Sequence, residues 1–217
     1  MSDPSPVSTD PRGRVYGGQS LAERQAQRRE RFMDAGLEVF GTTGYRTATV
    51  RQLCRQAGLT DRYFYESFAT TEDLLMAVYR RQFDQLQRAV LQAVSTRAQP
   101  DHPMPAVEAG LDALFHMAAD PRVARVCWLE VLGVSPRVDA LYTSTFDGFA
   151  QLVIGFARTF YPQWQVDDDE ERILGVALVG AVSQSVQHWL LGRHRESHAT
   201  MVRATARVFR GLISTLG

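Results

Sequence analysis

The stretch from Thr47 to Phe68 leaves the amino-terminal third of this chain few choices of structure. Val50, Leu53, Cys54 and Ala57 fall at i, i+3, i+4 and i+7, so they share one face of a short helix. Gly58 ends that helix, because a residue without Cβ takes the left-handed conformation at no steric cost. Thr60 begins a second helix, its hydroxyl placed to accept from an orphan backbone N–H and Asp61 placed to favour the helix dipole. Two short helices across a tight glycine turn form a helix-turn-helix. The second carries Arg62, Tyr63 and Tyr65, side chains that reach base edges and phosphates.

The flanks sharpen this reading. Upstream stand Leu37-Glu38-Val39-Phe40-Gly41, then Gly44-Tyr45 and Thr49; downstream stand Tyr65-Glu66-Ser67-Phe68 and Thr70-Thr71-Glu72-Asp73-Leu74-Leu75. In that order they resemble the amino-terminal DNA-binding domain of the TetR/AcrR family of bacterial one-component regulators. The resemblance is close from Arg28 to Val78 and continues only as a helical pattern beyond. It implies a homodimer on a palindromic double-stranded operator, a carboxy-terminal body that takes a small-molecule effector, and a long helix whose tilt positions the head. One residue departs from the pattern: the family usually carries Lys where this chain has Thr71, so a charge beside a phosphate is missing.

Charge supports a local polyanion-binding face. The 217 residues balance to a formal net charge of zero, yet from Arg12 to Arg62 arginines outnumber acids two to one. Arg12 and Arg14, separated by glycine in a proline- and glycine-rich segment, suit insertion into a narrow minor groove. Residues 1–19 are therefore read as a flexible arm, 20–69 as the DNA-binding domain and 70–217 as a ligand-binding and dimerisation domain. Cys54 and Cys127 lie within apolar helical patterns and read as buried reduced thiols. No apolar run stands out as bilayer-spanning and no signal peptide is evident, so the expected location is cytoplasmic.

Helix signals repeat along the chain. Ser20 with Glu23, Thr49 with Gln52, and Thr70 with Asp73 each match a capping pair, the last opening a long helix toward Ala98. Further helical patterns follow, broken at Pro121, Pro136 and Pro162, with no alternating strand pattern. The fold class is all-α: a three-helix helix-turn-helix domain followed by a helical bundle.

Residue roles follow from chemistry. Arg62 is the expected base reader, since a guanidinium bonds guanine O6 and N7 together. Thr60, Asp61 and Tyr63 lie beside it, while Thr49, Arg51, Tyr65 and Thr71 are assigned to the phosphate backbone. In the body, Phe115, Trp128, Leu132, Tyr142, Phe146, Phe149 and Trp189 form an aromatic and apolar inventory for a hydrophobic effector, with Gln184 and His188 as candidates to orient it. The penultimate helix is apolar nearly all round, and the last has two apolar seams. Gly175, Leu178, Ala181, Val182, Met201, Thr205, Val208 and Leu212 are thus expected at a dimer interface. His116 and His188 lack further ligands at suitable spacing, so neither metal nor cofactor is expected. The run Asp167 to Glu171 reads as a helix cap rather than a cation site. No nucleophile–base pair, carboxylate pair or phosphate loop stands at convincing spacing, which argues against an enzyme.

Overall fold

Ser20 opens the first helix among the described residues. Its hydroxyl accepts from the Glu23 amide at 3.2 Å while the Glu23 carboxylate takes the Ser20 N–H at 2.6 Å, which closes a reciprocal cap. The computed structural model describes residues 20–99 and 102–215, and every regular element among them is helical. Arg12 and Arg14 lie outside these residues.

The head consists of α1 (Leu21–Thr42), a single 3₁₀ turn (Tyr45–Thr47), α2 (Val50–Ala57) and α3 (Asp61–Ser67). Thr49 and Gln52 form the second capping box. Gly58 ends α2 at φ 61°, as expected. Thr60 differs from expectation: it occupies the N-cap of α3 with extended backbone, but its hydroxyl makes no capping bond. Negative charge at the start of α3 comes from Asp61 in the first turn. The far ends of both short helices are held from α1. Arg31 donates to the Ala57 carbonyl at 2.6 Å and Arg29 to the Ser67 carbonyl at 2.6 Å, placing cations where helix carbonyls are orphaned. Arg29 also lies 4.1 Å above the Phe68 ring. Arg29 and Arg31 of α1 therefore hold the two short helices in the head.

Thr70 and Asp73 cap α4 (Thr71–Arg97), the longest helix at 27 residues. Beyond it come α5 (Met104–Ala118), α6 (Pro121–Arg125) and a π-helical turn (Val126–Glu130). Then follow α7 (Pro136–Phe160), α8 (Asp168–Leu191) and α9 (His198–Ile213). Asp167 caps α8 by accepting from the Glu170 amide at 2.8 Å, and Glu171 grips Arg158 of α7 with both oxygens, so the acidic run serves the helix start. Cys54 and Cys127 are both buried and free, and burial with Asp61 alongside pushes the Cys54 thiol up to about 11.

One core runs through head and body. Phe32, Phe40, Leu53 and Phe64 of the head form a single cluster with Leu74, Leu75 and Val78 of α4 and with Val126, Val131 and Val138 farther along. A second cluster, centred on Leu111, Phe115, Val186 and Trp189, joins α5, α8 and α9.

Helix α8 departs from the sequence reading. By length and composition it is apolar enough to cross a membrane, because its charges gather in the first turn, and 28% of that apolar stretch is buried. An uncovered apolar face therefore remains on it, marked by Ile173 at 53% and Leu191 at 69% exposure.

Candidate functional site

The helix-turn-helix presents a cationic surface. Thr49, Arg51, Thr60, Asp61, Arg62 and Tyr65 are all exposed, at the starts of α2 and α3 and along the latter. Arg62 pairs through Nε with Glu66 one turn on at 2.9 Å while remaining 85% exposed, so its guanidinium is oriented yet open to solvent. Tyr65 projects its ring outward from an edge contact with Phe64. Tyr63 is placed differently: it is half-buried with Arg28 stacked 4.5 Å above its ring, which commits one face of it to the head. Thr71, also half-buried, occupies the first turn of α4. Arg46 and Arg55 are exposed too and form no ion pair among the described residues. Arg46 lies in the 3₁₀ turn and Arg55 in the last turn of α2, each away from the helix starts where the other candidates stand.

A cavity of about 350 Å³ lies within the body, bounded by α4, α5, α7, α8 and α9. No charged side chain lines it; hydroxyls of Tyr79, Tyr142, Thr159, Tyr161 and Ser183 are the polar side-chain groups apart from the Trp128 indole N–H. Burial raises the hydroxyls of Tyr79 and Tyr142 above the ordinary tyrosine range, which keeps them neutral. A volume of this size falls at the lower end of the roughly 300–1,000 Å³ of small-molecule sites.

Four of the nine expected ligand residues line the cavity: Trp128, Tyr142, Phe146 and Phe149. The others do not. Phe115 and Trp189 pack edge-to-face at 5.9 Å in the second core cluster, and the Trp189 indole donates to the Glu196 carbonyl. Leu132 lies on the surface. Gln184 and His188 are exposed because α8 turns Leu178, Val179, Val182 and Ser183 inward, leaving 184 and 188 on its outer side. Sequence reasoning missed the cavity's long-helix wall, Phe83, Leu86 and Val90, since a regular apolar stripe looks the same whether it meets a core or a void.

The expected dimer residues also turn largely inward. Gly175, Leu178, Val182, Met201 and Thr205 are buried within the single chain; Gly175 abuts Ala150 and Ile154 of α7. Leu212 lines the cavity, Ala181 is half-buried, and Val208 is 49% exposed. The outer face of α8 instead carries Ile173, Ala177, Gln184, His188 and Leu191, and that of α9 carries Ala204, Val208 and Gly211. Met201, Thr205 and Ala206 of α9 close the bundle, while Val208 of the same seam stays outside it.

Residues 32–78 match the family model described as bacterial regulatory proteins, tetR family. The chain is 26% identical over 180 residues to the HTH-type transcriptional activator FasR of Mycolicibacterium smegmatis, covering 82% of this chain and 80% of that protein. It is 21% identical over 169 residues to the fatty acid metabolism regulator protein of Bacillus subtilis, covering 76% and 86%. Among solved structures, the transcriptional regulator FadR from Bacillus subtilis in complex with stearoyl-CoA superposes with a TM-score of 0.72 at 17% identity, over 82% of this chain and 96% of that one. These relatives are transcriptional regulators rather than enzymes. Over residues 32–78, its helix-turn-helix head, the chain is thus similar to bacterial regulatory proteins of the tetR family.

Proposed function

We propose that this protein is a homodimeric cytoplasmic repressor that holds a palindromic operator through α3 and releases it when a long apolar acyl ligand enters the body. The observation that carries this reading is the cavity: it has no charged lining, and α4 supplies both its wall, at Phe83, Leu86 and Val90, and the root of the head, at Leu74, Leu75 and Val78. A ligand that fills the void better in one tilt of α4 shifts the head by its differential affinity for the two states. Burial of acyl methylenes contributes about 0.8 kcal/mol each. The acyl-CoA complex of the structurally similar FadR supports the ligand class. Arg62 reads bases, Thr60, Asp61 and Tyr63 border its site, Thr49, Arg51, Tyr65 and the start of α4 at Thr71 hold phosphates, and Arg12 and Arg14 enter the minor groove. An activator with the same parts is the second reading, favoured by the similarity to FasR.

Selection of bound duplexes from a random pool, with and without palmitoyl-CoA, tests the reading. One palindromic motif is expected, lost on adding the thioester. Arg62→Ala is expected to relax the motif at one position in each half-site, at a cost of about 1–3 kcal/mol. Truncation before Ser20 is expected to weaken binding and flatten flanking A·T preference. Weak binding without a motif sinks the regulator reading; a motif that persists undiminished with the ligand sinks only the acyl response.

A further inference from the structure

The head is fastened to the body at a second place, remote in sequence from the α3–α4 junction. At the carboxyl end of α1, Arg125 of the body donates from Nη1 to the Thr42 carbonyl at 2.9 Å. No basic residue stands in the last turn of α1 itself, so this guanidinium supplies the cation that the helix end lacks. Arg125 is held in turn by Glu130, Nε to Oε1 at 2.7 Å. The other oxygen of Glu130 accepts the Tyr45 backbone N–H, also at 2.7 Å. Arg122 adds an ion pair to Glu38 at 2.8 Å. The backbones meet closely here: a Cβ on Gly41 would lie 2.5 Å from the Arg122 Cβ and 2.7 Å from its Cα. On the head side, Tyr45 opens the 3₁₀ turn leading to Thr49, the cap of α2, and its ring packs on Phe40.

The body side of this clamp borders the π-helical turn Val126–Glu130. Such turns hold an extra residue against the α-helical register and recur at functional positions. Two residues apart on a helix, side chains point in different directions. Trp128 accordingly faces the cavity, stacked obliquely on Phe83 at 5.6 Å, while Glu130 reaches the head. One short, irregular segment therefore touches the ligand space and the approach to the helix-turn-helix.

We propose that Val126–Glu130 is a coupling element: the position of Trp128 in the cavity sets the geometry of the Glu130–Arg125 clamp, and the clamp sets the seating of the head. Arg125 and Glu130 are positioning residues, acting on DNA through Thr42 and Tyr45 without touching it. This rests on the ligand-responsive reading for its physiological trigger, but not for its mechanical test.

The test is hydrogen exchange at the Tyr45 amide, read by NMR on the full chain. Trp128→Leu is compared with Phe149→Leu, which also thins the cavity wall but lies on α7, outside the segment. Trp128→Leu is expected to speed Tyr45 exchange at least tenfold, and Phe149→Leu to leave it within twofold of wild type. Glu130→Gln should speed it similarly by removing the charge on the acceptor, and the double variant with Trp128→Leu should gain little more, as expected of two changes acting on one contact. Equal exchange in the two cavity variants, or fully additive effects in the double variant, overturns the proposal. A final arm adds palmitoyl-CoA to wild type and to Glu130→Gln. A threefold or greater change at Tyr45 in wild type alone supports the coupling; the same change in both overturns it. If palmitoyl-CoA leaves the amides of residues 141–160 unprotected, the acyl-ligand reading fails, while the coupling element still stands or falls on the Trp128→Leu comparison.

Discussion

Asp73 shows how one side chain serves two contacts. It completes the α4 cap with Thr70 and receives Arg137 at 2.7 Å. The Thr70 hydrogen bond first, and Arg137 second, hold its carboxyl below the ordinary aspartate value of 3.8. Asp120 is lowered likewise, chiefly by Arg122 beside it. A carboxyl with a depressed folded value binds fewer protons folded than unfolded, so stability rises with pH across this range. The contribution is complete above the unfolded value near 3.8 and is lost as pH falls through the lower folded value. Thermal melts between pH 5 and pH 2 are therefore expected to show a steep acid decline that is shallower in Asp73→Asn. Thr70→Ala should cost about 1 kcal/mol at neutral pH through the lost cap. An equal acid slope in wild type and Asp73→Asn counts against this assignment.

Among elements, those written in local residue chemistry were legible and those set by packing were not. Ser20, Thr49 and Thr70 announced the starts of α1, α2 and α4, and Gly58 the end of α2, because caps and left-handed turns depend on adjacent residues. Thr60 announced a helix whose start it marks without bonding, since the same residue type serves by position or by side chain. The π turn left no trace in the pattern of Val126–Glu130, where Cys127 and Trp128, adjacent in sequence, both pack inward. The cavity was half visible. Its aromatic members on α7 were found, but its α4 wall resembled ordinary core, as an apolar face carries no mark of what it meets. Val153 of α7 lines the void, so Val153→Trp is expected to fill it. Palmitoyl-CoA affinity should fall at least tenfold by calorimetry, with the helical circular dichroism unchanged. Unaltered affinity would move the ligand elsewhere.

On the scale of the molecule, α8 and α9 keep an outer surface that the rest of the chain does not cover. Ile173, Ala177, Leu191 and Val208 give it an apolar character, and a helical face of this kind favours association with a copy of itself. Ala177→Arg is expected to convert a dimer into a monomer in light scattering while leaving the helical circular dichroism intact. It should also weaken operator binding steeply, since one short recognition helix makes few contacts. A dimer that survives this substitution places the interface on another surface.

The core that joins Phe32 and Phe64 to Val126 and Val138, together with the guanidinium that ends α1, bears on how such regulators are recombined. A graft cut at the start of α4 would carry the reading head away from residues that complete its interior and its longest helix. Transplanted alone, residues 20–69 would leave behind Arg122, Arg125 and Glu130, and the recipient would have to supply their equivalents. Interchangeability between proteins of this design is therefore governed by the match between a head and the recipient's α6, more than by the tolerance of the linking sequence.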